Sequence, residues 1–246
     1  MWTRNIKIEI SYDGTNYSGW QSQKNARTIQ SVIEKELKKI TGHAVKLKGA
    51  GRTDAGVHAR QQAANFKTSS TLPAARIKDA LNSRLPRDIL ITAIKEVPLD
   101  FNSQHHAKCK TYRYTVTTER FPDPLQRHFT ARFSYPLNMA AMTRAARKLK
   151  GRHDFRAFQA SGSKEQNTVR RIKEIRVEKR GRLVYIDICA DGFLYNMART
   201  IAGTLLEIGR GRFTEGRIKE LLTVKNRART GPTLPAKGLC LMKVEY

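Results

Sequence analysis

The stretch G-A-G-R-T-D-A-G-V-H-A, Gly49 to Ala59, sets a cation, a hydroxyl and a carboxylate side by side at Arg52, Thr53 and Asp54 among three glycines. Glycine lets a backbone take positive φ and come close to a ligand. A carboxylate carried on such a loop can serve as a nucleophile or as a general base. The same residue types also build ordinary turns, because Asp and Thr side chains bond nearby backbone amides. A phosphate loop is excluded: G-x-x-x-x-G-K-[ST] is absent, and no Lys follows the glycines.

Other residues on the chain could do chemistry or binding. Arg199 is a lone cation among Phe193, Leu194, Met197 and Ile201, a placement that suits a buried anionic partner or a side chain snorkelling to the surface. Tyr112 and Tyr114 share one face of an alternating run, and on pattern alone an aromatic there belongs to the core. Between Arg144 and Arg182 stand 14 Lys+Arg against 4 Asp+Glu, with Phe155 and Phe158 interspersed. Within that run Arg170, Arg171, Lys173 and Arg176 are the candidate phosphate contacts. His58, His105, His106 and His153 show no metal-ligand spacing, so structural or surface roles are expected of them.

The chain of 246 residues has 47 Lys+Arg and 21 Asp+Glu, a formal charge of +26. Few partners other than nucleic acid can use that excess. Residues 1–107 contribute +8 (17 basic, 9 acidic) and residues 108–246 contribute +18 (30 basic, 12 acidic), so the second half should hold more phosphate. With 39% hydrophobic residues, real cores can form and disorder is a poor reading. Cys109, Cys189 and Cys240 lie far apart and include no C-x-x-C, which argues against a disulfide framework or a zinc ribbon and for a reducing cytosol. The charged, alternating start does not read as a signal peptide, and no apolar run approaches the roughly 18 residues of a membrane helix. A soluble, cytoplasmic protein with no membrane partner is expected.

The elements that must position these residues follow from hydropathy period. Ile6, Ile8, Ile10 and Tyr12 alternate as a strand ending at Asp13-Gly14. Thr28 can cap a helix through Ile29, Val32, Ile33, Leu37 and Ile40, with Gly42 as its stop. Val45 and Leu47 begin a short strand, the glycine-rich loop follows, and Ala59 to Thr68 is a further strand. Pro73 opens a helix through Leu85, and Ile89 to Val97 is strand. The second half offers a strand at Lys108 to Thr118, a helix at Asn138 to Lys150, and a hairpin from Val169 to Ala190 turning near Gly181. A helix starting at Phe193, a short helix through Ile218 and Leu222, and a last strand from Gly238 to Glu245 complete it, with loops at 119–131 and 157–168. This predicts an α+β fold of two ferredoxin-like or RRM-like halves, 1–105 with the Asp loop and 106–246 strongly basic, with a mixed, largely antiparallel sheet flanked by helices.

Six motifs in register carry a family resemblance over nearly the whole chain. Y-D-G-T-N-Y-S-G-W-Q at Tyr12 to Gln21 precedes the Gly49 to Ala59 loop, and K-T-Y-R-Y follows at Lys110 to Tyr114. G-R-H-D-F-R-A-F at Gly151 to Phe158, G-F-L-Y-N-M-A-R at Gly192 to Arg199 and G-P-T-L-P-A-K-G-L-C-L at Gly231 to Leu241 complete the set. The chain closely resembles the TruA family of tRNA pseudouridine synthases. Ala198 and Leu234 depart from the family's usual Val and Ala, changes that read as packing.

The resemblance implies the pseudouridine synthase fold and an isomerase that converts uridine to its C-glycoside at positions 38, 39 and 40 of the tRNA anticodon stem-loop. It implies that Asp54 is the catalytic carboxylate, that Arg199 pairs with it, and that Arg52 steers a flipped nucleotide. It makes Tyr112 the ring that stacks on the target uracil and handles the proton at C5, and Leu194 an apolar lining of that pocket. It also implies a homodimer with tRNA spanning both subunits. The chemistry agrees with the residues: cleaving an N-glycosidic bond and rejoining it through C5 is redox-neutral, so no cofactor and no metal is expected. Attack at C6 of the base, attack at the ribose and removal of a ribose proton all remain open routes for Asp54. A non-catalytic RNA-binding protein is the rival reading, though the aromatic RNP1 signature is missing. A metal-dependent nuclease or zinc deaminase lacks its clustered carboxylates or its H-x-E with P-C-x-x-C.

Overall fold

The computed structural model describes residues 3–163 and 165–246. The backbone divides into two compact units, residues 1–108 with 241–246, and residues 109–240.

In the first unit β1 (Arg4–Tyr12), α1 (Ile29–Thr41), β2 (Lys48–Gly49), β3 (His58–Thr68), α2 (Ala74–Arg84) and β4 (Ile89–Val97) follow in order. Strand β1 lies between β3 and β4, antiparallel to both, with Ile8 opposite Ala64 on one side and Ile94 on the other. Ile6, Ile8 and Ile10 are fully buried, as are Ile29, Ile33 and Leu37 of α1 and Ile77 and Leu81 of α2. Each such side chain contributes about 1.5–3 kcal/mol when taken out of water. Thr28 caps α1 by accepting from the Ser31 N–H, and Gly42 ends it at φ 78°, both as the sequence predicts. The ladder of β1 slips between Glu9 and Ile10 against β4 and between Ile10 and Tyr12 against β3. Such irregularities re-aim side chains, and these fall at the Tyr12 end, beside the glycine-rich loop. The short strand expected from Val45 forms only at Lys48–Gly49.

The second unit contains β5 (Cys109–Thr117), β6 (Ala131–Arg132), α3 (Met139–Arg147), β7 (Gly151–Asp154), β8 (Val169–Arg180), β9 (Leu183–Ala190), α4 (Met197–Gly209) and α5 (Gly216–Val224). Its strand order is β5-β9-β8-β7, with β6 parallel to the end of β5. The last strand, β10 (Leu239–Glu245), starts in this unit and returns from Leu241 to the first, where it follows β3 in the strand order β4-β1-β3-β10.

Three sequence expectations are corrected here. The helix expected to begin at Phe193 begins at Met197, because Asn196 turns left-handed at φ 60° and breaks the helical path. Every residue of α4 except Arg199 is buried. Phe155 and Phe158, expected among the phosphate-binding cations, are fully buried with their rings 6.0 Å apart, so they pack the core. Cys109 and Cys189 form a disulfide with Cα atoms 6.2 Å apart despite a separation of 80 residues. The β5–β9 register explains this: Cys189 lies opposite Thr111, which puts Cys109 on the neighbouring diagonal of the same sheet face.

Candidate functional site

The Asp54 loop is held by the very segment that the sequence set beside it, Tyr12 to Gln21. The first N–H groups of α1 lack intrahelical acceptors. Here Ile29 N–H donates to the Gly19 carbonyl at 3.1 Å and Gln30 N–H to that of Trp20 at 3.0 Å. Trp20 N–H in turn donates to the Thr53 carbonyl at 3.0 Å, and Gly56 N–H to the Tyr17 carbonyl at 3.3 Å. Gly19 sits at φ 88°, and a Cβ there would stand 2.6 Å from the Thr53 carbonyl oxygen, so only glycine fits. The hydroxyls of Tyr12 and Thr53 share a buried hydrogen bond of 2.8 Å. Val57 N–H closes the turn on the Asp54 carbonyl at 3.1 Å, and Gln62 Nε2 donates to the Gly51 carbonyl at 2.9 Å. Thr53 is buried, Asp54 half-buried and Arg52 exposed. The hydrogen bonds named here that fix the loop come from backbone groups, the Gln62 amide and the Thr53 hydroxyl. Sequence reading saw both motifs but not that one is the brace of the other.

In the second unit Tyr112 on β5 faces Ile188 on β9 and is 7% exposed. Its ring meets that of Phe193 edge-on, centroids 4.8 Å apart. Buried Leu194 follows Phe193 on the loop that leads into α4. Arg199 is fixed from two sides: Nε donates to the Leu234 carbonyl at 2.7 Å and Nη1 to Asn196 Oδ1 at 2.7 Å. The left-handed turn at Asn196 thus both ends the loop and presents an acceptor to the arginine. Leu234 meets Arg199 through its backbone carbonyl, while its side chain is buried. Tyr114 donates its hydroxyl to the Pro235 carbonyl at 2.7 Å; burial raises its pKa, against the charge of Arg199. Tyr112 thus meets Phe193, the chain neighbour of Leu194, and Arg199 is held by Asn196 a few residues further on. Phe193, Asn196 and the Leu234 carbonyl were missed as partners, although all lie within motifs already marked.

The four candidate phosphate contacts on β8 have different surroundings. Arg171 and Lys173 are exposed. Arg176 is exposed but held by Glu174, Nε to Oε1 2.6 Å, which offsets its charge. Arg170 is pinned, its Nη1 donating to the carbonyls of Asn167 and Val169 at 2.7 Å each. Changing Arg171 and Lys173 together to Gln should flatten the dependence of log affinity for RNA on log salt by about 1.4–1.8, at about 0.7–0.9 per phosphate neutralised. Titration from low to high salt checks this; an unchanged slope would move the RNA path off this strand.

One unit thus carries the braced carboxylate loop, and the other carries Tyr112, a fixed Arg199 and the basic strand β8. A family model described as tRNA pseudouridine synthase matches residues 9–105 and 145–246. The chain belongs to the tRNA pseudouridine synthase family, isomerases that convert uridine to pseudouridine in tRNA. It is 46% identical over 243 residues to "tRNA pseudouridine synthase A" of Thermoanaerobacter sp. (strain X514), covering 99% of this chain and 100% of that one. It is 47% identical over 243 residues to the protein of the same name from Acetivibrio thermocellus, with the same coverage. To "tRNA pseudouridine synthase A 2" of Clostridium perfringens it is 44% identical over 243 residues, again 99% and 100%.

Proposed function

We propose that the chain isomerises uridines at positions 38, 39 and 40, on the 3′ side of the tRNA anticodon stem-loop, with Asp54 as the reacting carboxylate. The observation that carries this reading is the brace on Thr53, which fixes the loop next to Asp54. The N1–C1′ bond breaks, the uracil turns, C5–C1′ forms, and the proton leaving C5 is balanced by one gained at N1. Asp54 acts at C6, at C1′ or on a ribose proton. Tyr112 stacks on the uracil and handles the C5 proton, Leu194 lines the pocket, Arg52 guides the flipped nucleotide, and Arg199 balances the Asp54 charge. Extruding the base from a stem costs roughly a few kcal/mol, which contacts to phosphate must offset. The active form in this reading is a homodimer in the cytosol, where the tRNA substrate resides.

The reaction as written needs neither metal nor nucleotide cofactor. Purified protein is expected to form pseudouridine at the three positions of an unmodified transcript, folded in monovalent salt, with EDTA present. Mapping by reverse transcription after carbodiimide treatment reads the positions. Product that appears only after a divalent ion is restored would refute the cofactor-free route, and product confined to other positions would refute the assignment of substrate.

A further inference from the structure

We infer that Lys110 and Arg170 together hold a backbone phosphate of the RNA beside the target nucleotide, a site that rests on the proposed function for its substrate but not for its geometry. Lys110 opens K-T-Y-R-Y and lies two residues before Tyr112 on β5, so both side chains rise from the same sheet face. Across that face Lys110 stands opposite Ala190, Tyr112 opposite Ile188, and Ala190 opposite Ile172 of β8. Arg170, two residues before Ile172, rises on the same side. The residues between the two cations are the small Ala190 and Gly192. The Arg170 side chain lies over Gly192: a Cβ there would stand 3.1 Å from Nε and 3.2 Å from Cδ. A side chain at 192 would press the arginine to give by a few tenths of an ångström.

The arginine is preorganised. Its Nη1 is fixed on two backbone carbonyls, and Glu165 approaches Nη2 only at 3.7 Å. The nearby carboxylate of Asp191 is engaged by the Arg171 N–H at 2.9 Å. Lys110 is half-buried, and its pKa is lowered first by that burial and then by the charge of Arg170, with Asp191 opposing. A half-buried lysine beside a fixed arginine gains from an anion shared between them. Two residues along a strand span about 7 Å, a reach comparable to that between the base of a nucleotide and its own backbone phosphate. A uracil on Tyr112 would leave a phosphate of its backbone within range of this pair.

The test is a cycle between protein charge and RNA charge, run with the full chain and an anticodon stem-loop RNA. A single neutral methylphosphonate is placed in turn at each phosphate within two nucleotides of the target uridine, and affinity is measured by fluorescence anisotropy. One position is expected to weaken wild-type binding about tenfold. Lys110→Met should weaken binding to the all-phosphate RNA by a similar factor and show no further loss at that position, whereas Lys110→Arg should stay within a few-fold of wild type. Additive losses at every position, or wild-type affinity in Lys110→Met, would overturn the site. If Lys110→Met fails to melt as a folded protein, Arg170→Gln is carried through the same cycle under the same criteria. Pseudouridine is scored separately: coupling without any product in wild type would sink the proposed isomerase chemistry and leave the phosphate site standing.

Discussion

Asp54→Asn is expected to abolish pseudouridine formation while leaving folding and tRNA affinity close to wild type. Asn is nearly isosteric and loses only the negative charge and the basicity that goes with it. The hydrogen bonds traced through this loop run through the Thr53 hydroxyl and through backbone groups, including the Asp54 carbonyl, all of which the variant retains. A reacting carboxylate commonly supplies several orders of magnitude, so a fall of about 10³-fold or more is expected, roughly 4 kcal/mol or more of transition-state stabilisation. The measurement is single-turnover product formation with enzyme in excess, beside anisotropy and thermal melting of the same preparation. Wild-type-like turnover by folded Asp54→Asn would remove the carboxylate from the mechanism. Loss of folding would return Asp54 to the role of a turn former. A companion Arg199→Met variant bears on the proposed pairing: if Arg199 balances Asp54, its effect on turnover shrinks when Asp54 is already Asn.

Much of this was legible because the signals are local. The alternation of Ile6, Ile8 and Ile10, the Thr28 cap and the Gly42 stop are decided within a few residues, and the structure places each of them as read. The start of α4 was misread because Phe193 and Leu194 fit a helical period, while the residue that decides the matter, Asn196, acts by a backbone conformation that hydropathy does not encode. Phe155 and Phe158 were placed among the cations by neighbourhood in sequence, whereas burial is decided by what folds over them. The Cys109–Cys189 pairing depends on strand register, which no spacing rule reveals. At the site, residue types marked out Asp54 and Arg199, but the support around them was invisible. That Trp20 and Gly19 brace Thr53, and that the Leu234 carbonyl receives Arg199, are contacts between stretches 33–34 and 35 residues apart, made through backbone atoms that any residue possesses.

Tyr112 permits a finer dissection, because one ring is proposed to stack on uracil and to handle a proton, and it also packs the sheet. Tyr112→Phe keeps the ring and its edge-on contact with Phe193 but removes the hydroxyl. It is expected to bind tRNA within a few-fold of wild type and to lose about 10²–10⁴ in single-turnover rate, the usual contribution of a positioned acid or base. Tyr112→Ala removes the stacking surface as well, worth about 1–3 kcal/mol per base, and leaves a cavity at a site only 7% exposed. Truncating a buried aromatic costs about 3–5 kcal/mol of stability, so the Ala variant should melt clearly lower than Phe and bind RNA more weakly. Comparing the two at a temperature where both are folded separates the roles: a rate loss shared by Phe and Ala belongs to the hydroxyl, and an affinity loss confined to Ala belongs to the ring. Near-normal turnover in both variants would make Tyr112 a core residue of β5, the reading that its alternation alone supports.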